Sequence, residues 1–419
     1  MHRTASHLLA CAFALTTPLL AQDDLRDRIT KNDGREVRGR VVDPFAADEI
    51  TVMQGGKRVR LPRAEIKTVE TVGDAVRAFC ERRARMKDSM RAQEYLIDEA
   101  VQSNLPGLAR LQAMWVALHD DGNEKAHTFL GHHKTAKGWQ WEHEGKRMTR
   151  EQLDVALQKQ PLVLVGERFS LKCDANLQAN MAALLDLEQL GVAWFERFGQ
   201  DLQLREALQP IQVIAHRNVD EFPKWGFRPQ PYFVPAPHGD VARTFYSGPA
   251  AVQPEKLFFV GTQGLLYHTM IGEVGRQDDR DRVCAWLEVG FGMLMQQTMD
   301  GPAGFARPGE LRSKDLQALQ ALGRGYRLTH LLHLPMYGSF YLTDDTATAI
   351  NWAAATMFVA WLLEPDNQPK TREPYLKFVR AALLERKGDS STLFDKTMGM
   401  RVEDFDEPWR AWLAKTAGY

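Results

Sequence analysis

The sequence predicts an α+β fold: a small β-rich unit first, a helical stretch next, and a mixed sheet-and-helix region last. Three observations carry this. Alternating apolar and polar residues are broken at Asn32-Asp33-Gly34 and at Gly55-Gly56, where Asn and Gly accept the positive φ that tight hairpins need. Apolar residues then recur at three- and four-residue spacing, as in Val76, Phe79 and Cys80 or from Leu105 to Leu118, which is the period of an amphipathic helix. From Pro161 onward, short apolar runs are separated by long helical patterns, the texture of strands alternating with helices.

The 419 residues suffice for two or three domains. A formal net charge of -1 excludes the global basic excess of a nucleic-acid binder, so no nucleic-acid partner is expected. Residues 1–21 read as a secretory signal peptide: His2 and Arg3 open it, Leu8 to Leu15 form its apolar core, and Leu19-Leu20-Ala21 precede the expected cleavage. No later run approaches the ~20 apolar residues of a membrane span. The mature chain is therefore expected to be exported, periplasmic or extracellular, without a transmembrane segment. Cys80, Cys173 and Cys284 remain after cleavage, far apart and without C-x-x-C spacing. That spacing indicates neither a thiolate metal site nor a dense disulfide framework; a single bridge is left open.

Taken in order, residues 22–72 hold the strand candidates Glu36 to Val42, Glu49 to Met53 and Lys57 to Leu61. Arginines such as Arg26, Arg28, Arg38, Arg40 and Arg58 make this unit locally basic, most simply as a solvated face. Residues 73–160 read as a helical spacer that contains a Gly-x-Trp module at Gly138-Trp139 and a capping box at Thr149 to Gln152. Its histidines, His119, His127, His132, His133 and His143, have no carboxylate at a spacing that completes a metal set.

Residues 161–419 form the third region. Strands are expected at Leu162 to Val165, Phe169 to Cys173, Ile211 to Ala215 and Leu257 to Gly261, with edge hairpins at Tyr232 to Val234 and Thr244 to Tyr246. A long helix from Ala175 to Phe198 carries a buried stripe through Leu177, Met181, Leu184, Leu187 and Leu190. Further helices are expected over Val283 to Met299, Ala347 to Leu363 and Tyr375 to Arg386, with Trp409 to Leu413 ending the chain.

Two short stretches bear on function: Tyr267-His268-Thr269-Met270-Ile271-Gly272 and Ala285-Trp286-Leu287-Glu288-Val289-Gly290. Together they resemble the zinc site of the gluzincin metallopeptidases, which carry H-E-x-x-H on one helix and W-x-x-E-G on the next. Histidines four apart share a helix face and can reach one Zn²⁺, with the adjacent Glu as general base. The resemblance places His268 at the first ligand and Glu288 at the third. Thr269 stands at the general-base position and Gly272 at the second histidine. The first unit likewise resembles the small SH3-like or Sm-like β-barrels of exported bacterial proteins. The resemblance to gluzincin-like domains spans roughly residues 160–419 and rests more on motif order than on any single motif.

The resemblance implies a small N-terminal β-barrel, a helical spacer and a gluzincin-like domain that has lost catalysis. Such a pseudo-metallopeptidase would bind a peptide, a protein or a cell-envelope polymer, with no cofactor. Two alternatives stand beside it. One is a divergent zinc peptidase that recruits His330 and His333, which lie three apart in Thr329-His330-Leu331-Leu332-His333; the other is a structural envelope protein.

Overall fold

The computed structural model describes residues 26–86, 89–207, 209–223, 230–234, 241–250, 253–271, 284–296, 298–300, 306–308, 326–336, 338–341, 345–364, 371–384 and 390–417. The chain is a mixed α+β protein with sheets at both ends of its first half.

Strands β1 (Asp27–Lys31), β2 (Glu36–Val41), β3 (Glu49–Gln54), β4 (Lys57–Pro62) and β5 (Ile66–Glu70) form an antiparallel sheet in the order β4-β3-β2-β1-β5. The hairpins turn where the sequence predicts: Gly34 lies at φ 85°, and Gly55 and Gly56 at 54° and 78°. Alternation buries Ile29, Val41, Ile50, Val52 and Leu61 in a core of their own. The expected barrel does not close. β4 ends at Pro62, which has no ladder donor, and the turn Arg63–Glu65 returns the chain to β1, leaving β4 and β5 as open edges.

The next region is helical with a small sheet inside it. α1 (Val72–Arg85) starts at a Thr71–Asp74 capping box, α2 (Met90–Gln102) at Ser89, and α3 (Pro106–His119) at a proline that fits the first helical turn. α4 (Glu124–Leu130) is followed by β6 (His133–Thr135), β7 (Gly138–His143) and β8 (Lys146–Met148), then by α5 (Arg150–Leu157) behind the expected Thr149 capping box. These helices do more than space two domains. Val76, Phe79, Leu108 and Leu111 share one continuous core with Leu184, Phe198 and Trp286 from the later region.

The second large sheet contains β9 (Leu162–Val165), β10 (Phe169–Cys173), β11 (Ile211–His216), β12 (Tyr232–Val234) and β13 (Val241–Phe245), in the order β12-β13-β11-β10-β9. β10, β11 and β13 run parallel, while β9 and β12 are antiparallel edges. α6 (Leu177–Leu202) and α7 (Pro254–Leu266) pack against this sheet and against each other. Leu257 to Gly261, expected as a strand, is part of α7. A fully apolar run carries no period to separate the two states. Here Pro254 sets the first turn, and Leu257, Phe258, Phe259 and Val260 are all buried.

α7 passes into a π-turn, Tyr267–Ile271, and α8 (Ala285–Gln296) lies beside α7. After the β14 (Thr298–Asp300) and β15 (Ala306–Pro308) hairpin come α9 (Leu328–Leu332), α10 (Asp345–Leu362), α11 (Arg372–Leu384), α12 (Ser390–Met398) and α13 (Asp406–Ala417). Among the described residues no helix is long and apolar enough to cross a membrane. Cys80, Cys173 and Cys284 are buried and form no disulfide with one another, and burial pushes the Cys80 and Cys173 thiols up to about 12.

Candidate functional site

His268 and Thr269 sit in the π-turn that ends α7, and Glu288 in the first turn of α8. Single π-turns inside α-helices often mark functional positions. Tyr267 donates its hydroxyl to Glu288 Oε2 at 3.2 Å, inside a site where Glu288 is only 5% exposed. His268 is half-buried, with the ring of Phe233 on edge strand β12 meeting it at 6.4 Å, nearly perpendicular.

Thr269 is fully buried and its hydroxyl is doubly committed. It donates to the Leu265 carbonyl at 2.7 Å and accepts the Trp194 indole N–H at 3.0 Å. Its own carbonyl accepts from the Arg205 N–H at 2.8 Å. Thr269 is thus a joint between α6, α7 and the segment after α6. Gly272 lies outside the described residues.

His330 lies on α9 and His333 caps that helix; both are exposed, while Leu328, Leu331 and Leu332 point inward. The Tyr326 ring meets His330 edge-on at 5.7 Å. Among the described residues no group of three or more His, Cys, Asp or Glu side chains is arranged around a metal position. At the motif positions described, His268 and Glu288 are the two possible ligands, against about three protein ligands in a catalytic zinc site, and Thr269 does not fit the role of base.

His119, His127, His132 and His143 of the helical region have structural partners. His119 Nδ1 meets the Trp115 carbonyl at 2.8 Å and His143 Nε2 the Gln160 carbonyl at 3.0 Å. His127 and His132 bring their Nδ1 atoms to 2.7 Å, so one ring carries its proton there and the other accepts it. Burial, with His127 alongside, holds His132 down at about 4.

Sequence reasoning missed a buried charged cluster where the N-terminal sheet meets the helical body. Arg26 Nη1 pairs with Glu167 Oε2 at 2.5 Å, and Glu167 Oε1 accepts the Gly107 N–H at 2.9 Å at the start of α3. Asp27 accepts the N–H groups of Val41 and Val72, each at 2.6 Å, joining β2 to α1. Burial pushes the Asp27 carboxyl up to about 6 against these two donors. Glu188, on α6, takes three N–H groups on Oε1, from Glu167, Arg168 and Phe169 at 2.8, 2.9 and 3.1 Å. Its other oxygen has no hydrogen-bond partner among the described residues, and burial pushes its carboxyl up to about 7. The Arg168 guanidinium lies 4.6 Å over the Phe195 ring and meets Glu206 at 3.2 Å.

Inside this cluster is a cavity of about 30 Å³ lined by Asp27, Arg40, Arg168 and Thr269 among others, room enough for a water molecule. Beside it a groove of about 390 Å³ runs between the sheet, α1 and α6, with Phe45, Val192 and Phe195 on its walls and Arg63, Arg77 and Glu196 along it. One signal for this cluster is visible in the sequence: Glu188 stands four residues after Leu184, on the apolar stripe of α6. A carboxylate at that position must be partnered by something the fold brings to it.

No family model, curated protein or solved structure matches the chain.

Proposed function

We propose that this chain is an exported, catalytically inactive relative of the gluzincin metallopeptidases. It holds a peptide, a protein segment or a cell-envelope polymer without cutting it. One observation carries the reading: the hydroxyl at the general-base position, Thr269, is fully buried and engaged by Trp194 and Leu265. A base must reach a metal-bound water, and this side chain is turned into a joint between helices. Glu288, at the third-ligand position, accepts a hydrogen bond from Tyr267. The groove of about 390 Å³ beside the N-terminal sheet gives binding a place, since ligand clefts measure roughly 300–1,000 Å³ and combine apolar walls with a few polar groups.

The test is elemental analysis of the purified mature chain together with a proteolysis assay on an unfolded protein substrate. The expected result is no stoichiometric zinc and no cleavage. One zinc per chain, with cleavage lost in His268→Ala, would overturn the proposal. Zinc lost in His330→Ala or His333→Ala would instead favour a divergent peptidase with a rebuilt ligand set.

A further inference from the structure

The N-terminal sheet and the rest of the chain keep separate cores. Ile29, Val41, Ile50, Val52 and Leu61 pack on one another. Among the described residues of the sheet and its loops, only Phe45 joins the main core, stacked on the Phe195 ring where Gly199 of α6 leaves room for it. A junction so poor in apolar contact gains little from the hydrophobic effect.

What holds the sheet in place is polar. Arg26 pairs with Glu167, Arg40 donates to the Ala207 carbonyl, the Glu206 N–H donates to the Val42 carbonyl at 2.7 Å, and Asp27 accepts the Val72 N–H at 2.6 Å. The described chain passes between the two parts once, at Thr71–Val72, where β5 ends and α1 begins. The groove of about 390 Å³ lies along this junction: Pro44, Phe45, Arg63 and Val69 form its sheet wall, and Val192 and Glu196 on α6 face them. Movement of the sheet about Thr71–Val72 therefore assembles or dismantles the groove.

Asp27 stands at the centre of these contacts. It is 4% exposed and bonds to both parts, to Val41 within the sheet and to Val72 on α1. The charged groups lining the cavity beside it are Arg26 and Arg40 from the sheet, Glu167 and Arg168 from the turn into β10, and Glu206 from the segment after α6. α1 contributes Val72 and Gly73 there, and the π-turn Thr269. Burial outweighs the two N–H donors and holds the Asp27 carboxyl up at about 6, with Glu206 adding to the rise and Arg40 opposing it.

We propose that the N-terminal sheet is a hinged wall of the groove, latched to the body by the contacts around Asp27 and loosened as that carboxyl ionises. Docked, the carboxyl holds its proton up to about pH 6; undocked and solvated, it returns toward the ordinary 3.8. Docking is therefore firmest below about 3.8, weakens as pH rises toward 6 and is constant above it. The use of this motion in holding and releasing a ligand rests on the reading of the groove given above; the hinge does not.

Hydrogen exchange on the full mature chain, corrected for intrinsic rates, reads the hinge at the two amides that bridge the parts, Val72 and Glu206. Val42, which donates to Thr51 inside the sheet, and Ala109, which donates to Leu105 at the start of α3, are the controls. Between pH 5 and 7.5, protection at the bridging amides is expected to fall about tenfold relative to both controls. Glu188 also ionises over this range, but it lies inside the body, so its effect appears at Ala109 too. Asp27→Asn cannot ionise and should remove the difference. Flat wild-type protection at Val72 and Glu206 would overturn the proposal, whether or not the variant folds. So would a parallel fall at either control, because a whole part would then be unfolding. An Asp27→Asn chain that is folded by circular dichroism yet keeps the full pH dependence would overturn it as well.

Discussion

Trp194 donates its indole N–H to the hydroxyl of Thr269 at 3.0 Å, and both residues are fully buried. The bond joins α6 to the π-turn that ends α7, so the Thr269 side chain holds two helices together.

Thr269→Val keeps the shape and removes the acceptor. A buried indole N–H left without a partner costs roughly 1–3 kcal/mol, so the variant should lose about that much stability in urea unfolding. Trp194→Phe combined with Thr269→Val should cost less than the two single losses added together, because neighbouring partners couple. Strictly additive losses would show that the bond contributes nothing. Thr269→Glu, the change that recreates half of H-E-x-x-H, should be far more damaging, since it places a carboxylate in the same enclosed site.

The Arg26–Glu167 pair links the strand entry of the N-terminal sheet to the start of α3. Its side chains are 10% and 2% exposed. Removing one partner of a buried pair leaves the other charge uncompensated and costs on the order of 3–5 kcal/mol. Glu167→Ala also removes the acceptor of the Gly107 N–H. It should destabilise the chain by at least about 3 kcal/mol and make the junction near residue 72 a site of limited proteolysis. Protease resistance equal to wild type would show that the apolar Phe45–Phe195 contact suffices to dock the sheet.

Much of the fold is legible because local chemistry decides it. The glycine hairpins, the capping box at Thr149, and the strands at Leu162–Val165, Phe169–Cys173 and Ile211–His216 all need only near neighbours. Leu257 to Gly261 is not legible, since a run buried on every side is equally compatible with helix and strand until its neighbours are known. Barrel closure depends on how the turn Arg63–Glu65 aims β5 relative to β4, and here it sends β5 to β1, a choice that no hairpin signal encodes. The charged cluster is illegible for the same reason: Arg26, Glu167 and Glu188 converge only through tertiary structure. At the candidate site a resemblance singles out His268, Thr269 and Glu288 in the sequence, but nothing local there signals the π-turn at Tyr267–Ile271 or the Tyr267–Glu288 hydrogen bond.

Glu188 should make stability pH-dependent in an unusual sense. Burial raises its carboxyl from the ordinary 4.5 to about 7 in the folded chain. The native state therefore holds a proton that the unfolded chain releases, and stability from this group is full below about 4.5 and declines as pH rises toward 7. Glu188→Gln keeps an acceptor for the three N–H groups and cannot ionise. It should match wild type near pH 4.5 and exceed it above pH 7, by on the order of 3 kcal/mol at most. Urea unfolding across pH 4 to 8 reads this directly. A variant less stable than wild type at every pH would mean that the carboxylate itself, held by its three donors, is the favoured form.

Gly290 looks like part of a zinc motif, yet its environment gives it a packing role. A Cβ there would meet the Ala355 carbonyl at 2.9 Å and Val359 Cγ2 at 2.5 Å, where α8 crosses α10. Alanine in an exposed helix interior is favoured over glycine by roughly 1 kcal/mol. Here it must push two backbones apart, and overpacking a well-filled core costs typically 1–3 kcal/mol. Gly290→Ala should therefore lower stability by about 1–2 kcal/mol, with the sign reversed from helix propensity. Gly261→Ala on α7 is the control, because the added methyl would meet the mobile ends of Leu190 and Leu187 at 2.7 and 3.0 Å instead of a backbone atom. Its loss should be clearly smaller. Equal losses, or a gain at Gly290, would show that the α8–α10 crossing can open without cost and that the glycine answers to something other than packing.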